Sequence, residues 1–173
     1  MGKLASPNSG VWWVPAAGLT NPANPSAAQI NAGTRISPAM ETGYTLGFTD
    51  SDTDKSKTVE DEGNVETPTL RNYEAKFNLF LDEVGNGTQD APENATAFTE
   101  AFDLFKTPYV EGYLIHRIGR KGSVPVAAGH LVSVFKVKND HHRIIEGDAV
   151  TPIKVEVEFL TQGLGLPNVV CSA

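Results

Sequence analysis

Tyr73-Glu74-Ala75-Lys76-Phe77-Asn78-Leu79-Phe80-Leu81-Asp82 alternates with a period of two: every odd position is apolar, and every even one is polar except Phe80. That is the pattern of a strand buried on one face and wetted on the other. Downstream, Asn86-Gly87 marks a turn. The period then changes: Phe98, Ala101, Phe102 and Phe105 recur at helical spacing, which predicts a helix over 94–106 laying an aromatic stripe on the core. Strand patterns return at 109–118, closing in the turn Gly119-Arg120-Lys121-Gly122, and at 130–138, with Asn139-Asp140 as its turn. The alternation is cleanest over 150–160, where Ile153, Val155, Val157 and Phe159 stand opposite Lys154, Glu156 and Glu158. Strands around one helix predict a mainly β fold: an antiparallel β-sandwich or barrel with one packed α-helix and long loop and terminal extensions. A sheet covered on one side only must present its other face to water or to a channel.

The flanks read differently. Residues 1–40 are turn-rich, punctuated by Pro15, Pro22, Pro25 and Pro38, and are expected to form an N-terminal arm. Within it Val11-Trp12-Trp13-Val14 suggests a short strand. Ser26-Ala27-Ala28-Gln29-Ile30-Asn31-Ala32-Gly33 suggests a short helix capped by Ser26 and stopped by Gly33. Residues 48–70 form a long polar loop, too long for an ordinary connection and therefore a functional extension or a disordered segment. Residues 71–162 hold the sandwich core and 163–173 a C-terminal tail. The 173 residues are read as a single domain.

The net charge of −7 is unevenly spread. Residues 41–103 carry 15 acidic and 4 basic side chains, a balance of −11, which leaves +4 on the remainder. An acidic protein binds DNA phosphates poorly. Opposite charge at different parts of one chain can steer copies of it together, although a solvated acidic loop has the same composition. The single cysteine, Cys171, cannot make an internal disulfide or a thiolate-rich metal site, which suggests a reducing compartment. No apolar run spans a bilayer, and Ser6-Pro7-Asn8-Ser9-Gly10 breaks up any signal-peptide core. The start matches the loose myristoylation pattern at Gly2 without a polybasic partner signal, and the sequons at Asn86 and Asn94 are read as chance.

Enzyme chemistry finds no constellation. His141-His142 is expected as an exposed turn pair and His116 as a satisfied, half-buried side chain. Asp50-Ser51-Asp52-Thr53-Asp54 has the opening spacing of a calcium loop, so Asp50, Asp52 and Asp54 are its only metal candidates. The match then fails at Lys55, where glycine is needed, and at Asp61, where glutamate is needed. Gly163-Leu164-Gly165 lacks the rest of a dinucleotide fingerprint, and no nucleophile elbow exists. Arg117 to Lys121 makes a basic turn without aromatic interleaving. No cofactor is expected.

The order of segments resembles the major tail tube proteins of long, non-contractile-tailed phages, particularly those infecting actinobacteria. The resemblance rests on Ser26-Ala27-Ala28-Gln29-Ile30-Asn31-Ala32-Gly33-Thr34 and on the polar stretch ending Asp61-Glu62-Gly63-Asn64-Val65-Glu66-Thr67-Pro68-Thr69. It continues through Asn72-Tyr73-Glu74-Ala75, the helix around Phe98 to Phe105 and the closing strand at 150–160, over roughly residues 26–162. It implies a structural virion protein, not an enzyme: a β-sandwich with one helix, assembled in the host cytoplasm as stacked hexameric rings around a tape-measure protein. Tail tip and terminator proteins would be its partners, DNA would pass only transiently, and no membrane would be involved. On this reading Glu74, Asp82, Glu156 and Glu158 are candidates to line the lumen. The acidic loop, with Asp50, Asp52, Asp54, Asp61, Glu62 and Glu66, is expected to dock on a neighbouring subunit. Alternative readings are a tail terminator or connector ring, or a β binding module whose acidic loop holds calcium or a protein partner.

Overall fold

The computed structural model describes residues 8–56, 67–81, 95–146 and 153–173. In chain order these form β1 (Ser9–Pro15), a 3-10 turn (Ala16–Gly18), α1 (Ala27–Ala32), β2 (Thr34–Arg35), β3 (Thr45–Phe48), β4 (Asp52–Asp54), β5 (Thr67–Leu70), β6 (Tyr73–Phe80), α2 (Ala95–Phe105), β7 (Glu111–Ile118), β8 (Leu131–Asn139), β9 (Arg143–Ile145) and β10 (Lys154–Val170). The fold is mainly β with antiparallel strands, as expected. The main sheet runs β2-β1-β7-β8-β10-β6-β3, with β9 also paired to β10.

β10 makes this sheet a sandwich. Its first residues pair with β6 and β9, with Glu156 opposite Asn78 and Arg143. From Phe159 onward it pairs with β8. Within the β8-paired part the register slips between Thr161 and Gly165, where Gly163 at φ +73° supplies a left-handed step, and again between Leu166 and Val169. The half containing β3, β6 and β9 thereby folds over the half containing β1, β7 and β8. Between them lie Val11, Trp13, Phe77, Leu114, Phe135, Val155, Val157 and Phe159, all buried. Aromatic rings cross the interface: Trp13 meets Phe105 edge-on at 5.1 Å, and Phe77 meets Phe159 at 5.0 Å. α2 follows its expected stripe, with Ala101 and Phe105 fully buried and Phe98 and Phe102 packed against the same core.

A second core covers the opposite face of β1, β7 and β8. It holds Trp12, Val14, Ile30, Ile115, Val126, Val134 and Cys171. α1 closes it, with Ala27 and Ile30 inward. Ser26 caps this helix, accepting from the Ala28 N–H at 3.2 Å, while Gln29 reaches back to the Ser26 N–H; Gly33 ends it. Asn31 pins the helix to the chain at Val126, donating to its carbonyl at 2.8 Å and accepting from its N–H at 2.9 Å.

Several expectations need correction. Residues 8–40 are not an arm: β1 is an interior strand flanked by β2 and β7. Val11-Trp12-Trp13-Val14 lacks alternation because both of its faces are covered, one by each core. Residues 163–173 are not a tail, since β10 runs to Val170, Cys171 is buried and Ser172 bridges to Ser26. The closing strand begins at Lys154 within the described residues, and Ile153 before it is half exposed. The polar segment 48–70 is partly structured, because β4 and β5 pair as a hairpin; its residues 57–66 lie outside the described residues. Asn139 is no turn residue but a buried end of β8. Arg117 belongs to β7 and is buried rather than part of an exposed basic turn.

Candidate functional site

The polar face of β6 and β10 is the one the sequence singled out, and β9 extends it. β6 and β10 run antiparallel with Glu158 opposite Lys76, Glu156 opposite Asn78 and Lys154 opposite Phe80. Directly opposed residues share a face, so Glu74, Lys76, Asn78, Lys154, Glu156 and Glu158 all point away from the core. Three expected site residues therefore come together, Glu74, Glu156 and Glu158. Asp82 lies outside the described residues.

These carboxylates are not bare. The Lys76 ammonium contacts Glu158 at 2.8 Å and Glu156 at 3.2 Å, and the Arg143 guanidinium reaches Glu156 at 2.9 Å. Lys154 donates to Glu41, which also accepts from the Asn78 amide at 2.8 Å. The hydrogen bond from Lys154 and then that from Asn78 hold the Glu41 carboxyl below its ordinary range. The hydrogen bonds to Glu158 and then Glu156 raise the Lys76 ammonium. Lys76, Arg143 and Lys154 thus balance Glu41, Glu156 and Glu158, and exposed Glu74 leaves the face slightly acidic. Phe80, the exception in the alternation, packs on Phe98 of α2 at 6.3 Å and under the Lys154 ammonium at 5.7 Å. Sequence reading missed Glu41, Lys76, Arg143 and Lys154 as members of this face. Alternation marked Lys76 and Lys154 as outward, but no sequence signal joined them to their partners.

The acidic hairpin offers less. Asp50, Asp52 and Asp54 are exposed. Asn72 donates to the Asp52 carboxylate at 3.0 Å, and the Ser56 side chain and then its N–H, at 2.8 Å, lower the Asp54 pKa. No group of three His, Cys, Asp or Glu side chains able to hold a metal occurs among the described residues. Asp61, Glu62 and Glu66 lie outside them.

The histidines resolve as structural groups. His116 Nε2 sits 3.0 Å from Ser9 Oγ and 3.2 Å from Tyr44 Oη, and burial lowers its pKa. His141 bonds Tyr109 Oη at 3.1 Å, and His142 packs edge-on to Phe102. Arg117 stacks over Trp12 at 5.0 Å and donates to the carbonyls of Lys121, Val124 and Pro125, so it organises the β7–β8 connection instead of offering a free cation. No described helix is long and apolar enough to cross a membrane.

These residues make a mainly β protein whose outer sheet face is nearly charge-balanced. A model of the phage tail tube protein family matches residues 1–173. The chain belongs to the phage tail tube protein family. The family is a structural one, which gives this tail tube protein a place in the virion and a tendency to self-associate into a tube. Among solved structures it is similar to a chain of the anti-feeding prophage baseplate, determined by cryo-electron microscopy with six-fold symmetry imposed. The match has 10% identity, covers 96% of this chain and 98% of that one, and has a TM-score of 0.46. No curated relative matches the sequence.

Proposed function

We propose that this tail tube protein polymerises as stacked hexameric rings that form the tube of a long, non-contractile phage tail. The tube assembles around a tape-measure protein in the host cytoplasm, is bounded by tail tip and terminator proteins, and later conducts DNA. The observation that carries this reading is the outer face of β6, β9 and β10. Its cations Lys76, Arg143 and Lys154 are each held by a carboxylate. Phosphates passing such a wall meet no free cation among its described residues, while Glu74 adds weak, even repulsion. Glu74, Glu156 and Glu158 accordingly face the channel in this proposal. The hairpin of β4 and β5, with the acidic residues it carries, docks on a neighbouring subunit.

Negative-stain electron microscopy of the concentrated protein, with and without a tail-tip seed, tests the reading. Hollow tubes are expected in at least one condition. Single rings that never stack would identify a terminator or connector, and a persistent monomer in both conditions would overturn the tube. Deleting residues 51–64 is expected to leave a folded monomer that no longer polymerises; normal tubes from that variant would reduce the hairpin to decoration.

A further inference from the structure

β7 and β8 end in two unlike surfaces. At one end Ile118, Leu131 and Val170 are 65%, 54% and 53% exposed. Leu131 pairs with Val170, and continuing the β7–β8 register beyond His116 and Ser133 sets Ile118 opposite Leu131. The three side chains therefore form one apolar row across three adjacent strands. Against it lies a hollow of about 250 Å³ lined by Ile118, Arg120, His130 and Leu131. Arg120 and Lys121, in the turn beside the row, make no ion pair with any described residue.

At the other end, about 26 Å away along the nine residues of β8, stand Tyr109 and Asp140. Tyr109 is 54% exposed and has φ +66°, a left-handed conformation that bulky side chains rarely adopt. It is fixed there by its N–H on the Asn139 carbonyl at 2.8 Å and by its hydroxyl and ring on His141. A large aromatic ring is thus held out to solvent in one orientation. Asp140 accepts from the His141 N–H and meets no cation among the described residues.

We propose that Tyr109 of one copy seats on the Ile118, Leu131 and Val170 row of the next copy, with Asp140 facing the Arg120-Lys121 turn. This inference rests on the tube reading and supplies it with a specific contact. Three observations select a second copy of the chain as the occupant. Two different surfaces at opposite ends of one subunit join head to tail, the arrangement that propagates a polymer. Their free charges are opposite, acid beside the tyrosine and base beside the row. The ring is already immobilised, so docking it costs little further ordering, and Arg120 can lie over its face.

A full-length variant carrying both Tyr109→Cys and Leu131→Cys tests the contact by oxidation after assembly and separation on a non-reducing gel. The two positions lie far beyond the roughly 7 Å that a disulfide spans, so every bridge between them joins two copies. The double variant is expected to give a ladder of trimers and larger multimers, while each single variant stops at dimer. Tubes that form without such a ladder would overturn the contact and leave the tube reading standing. If the double variant does not assemble, Tyr109→Ala decides. Assembly slowed about tenfold or more with an unchanged melting temperature is expected of a lost aromatic anchor, and wild-type assembly would refute it. Failure of the unmodified protein to form tubes sinks the tube reading itself and this contact with it.

Discussion

Asn139 closes β8 with its side chain fully buried. Its amide nitrogen donates to the carbonyls of Thr107 at 2.8 Å and Phe105 at 3.3 Å, and its amide oxygen accepts from the Val110 N–H at 2.7 Å. One side chain thereby ties the end of α2 to the entry of β7. Asn139→Ala removes all three bonds. Thr107 is exposed and its carbonyl recovers water, which leaves the Val110 N–H and the Phe105 carbonyl without their partner. At about 1–3 kcal/mol for each buried group left unsatisfied, with the longer bond at the low end, the loss is about 3 kcal/mol. For a chain of 173 residues this lowers Tm by about 6–12 °C. Thermal and urea unfolding followed by circular dichroism measures it, with the midpoint falling at constant slope. Asn139→Asp is a sharper companion. It keeps an acceptor for Val110 but turns a carboxylate toward two carbonyls, so at pH 7 it is expected to be less stable than the alanine variant. Acidification restores it in part, because a protonated acid can donate to the Thr107 carbonyl. An alanine loss below about 1 kcal/mol, or an aspartate variant more stable than alanine at pH 7, would refute this hydrogen-bond accounting.

Other outcomes follow from the same structure. His116 faces Ser9 and Tyr44 and has its pKa lowered by burial, so the unfolded chain binds its proton first as pH falls. Stability is therefore full above about pH 6.5 and declines below it until the folded-state pKa is passed. His116→Gln should flatten that slope in pH-dependent melting without abolishing it, because burial shifts His130 the same way; an unchanged slope would discard the assignment. Gly112→Ala would place a Cβ 2.5 Å from the Trp13 ring and 2.8 Å from the Val14 carbonyl. Overpacking between β1 and β7 should cost about 1–3 kcal/mol or more, read as a lower denaturation midpoint, and a neutral result would mean that β1 shifts freely. Glu156→Lys with Glu158→Lys would strand Lys76 and Arg143 beside two new cations. Infectious particles carrying the pair should eject DNA more slowly; unchanged ejection would remove this face from the channel.

The elements legible in the sequence depend on residues a few positions apart. Tyr73–Phe80 showed its buried face because alternate side chains point to opposite sides. Ala95–Phe105 showed its aromatic stripe for the corresponding helical reason. Ser26 and Gly33 marked the ends of α1 because caps act within one turn. β1 was harder to place because a strand covered on both faces loses the alternation that identifies it. The end of the chain, expected as a tail, misled for another reason: β10 continues past Gly163, Gly165 and Pro167, residues that weaken a strand, by taking register shifts there.

The candidate site divides along the same line. Sequence periodicity alone determined that Glu74, Glu156 and Glu158 turn away from the core, since facing is a property of the local backbone. Only the tertiary structure decided what stands beside them. Lys76 and Glu158 are 82 residues apart, and β9 brings Arg143 to Glu156 from a separate strand. Register between distant strands is set when the whole sandwich closes, so the charge of this face, acidic when counted along the chain, is nearly balanced in space.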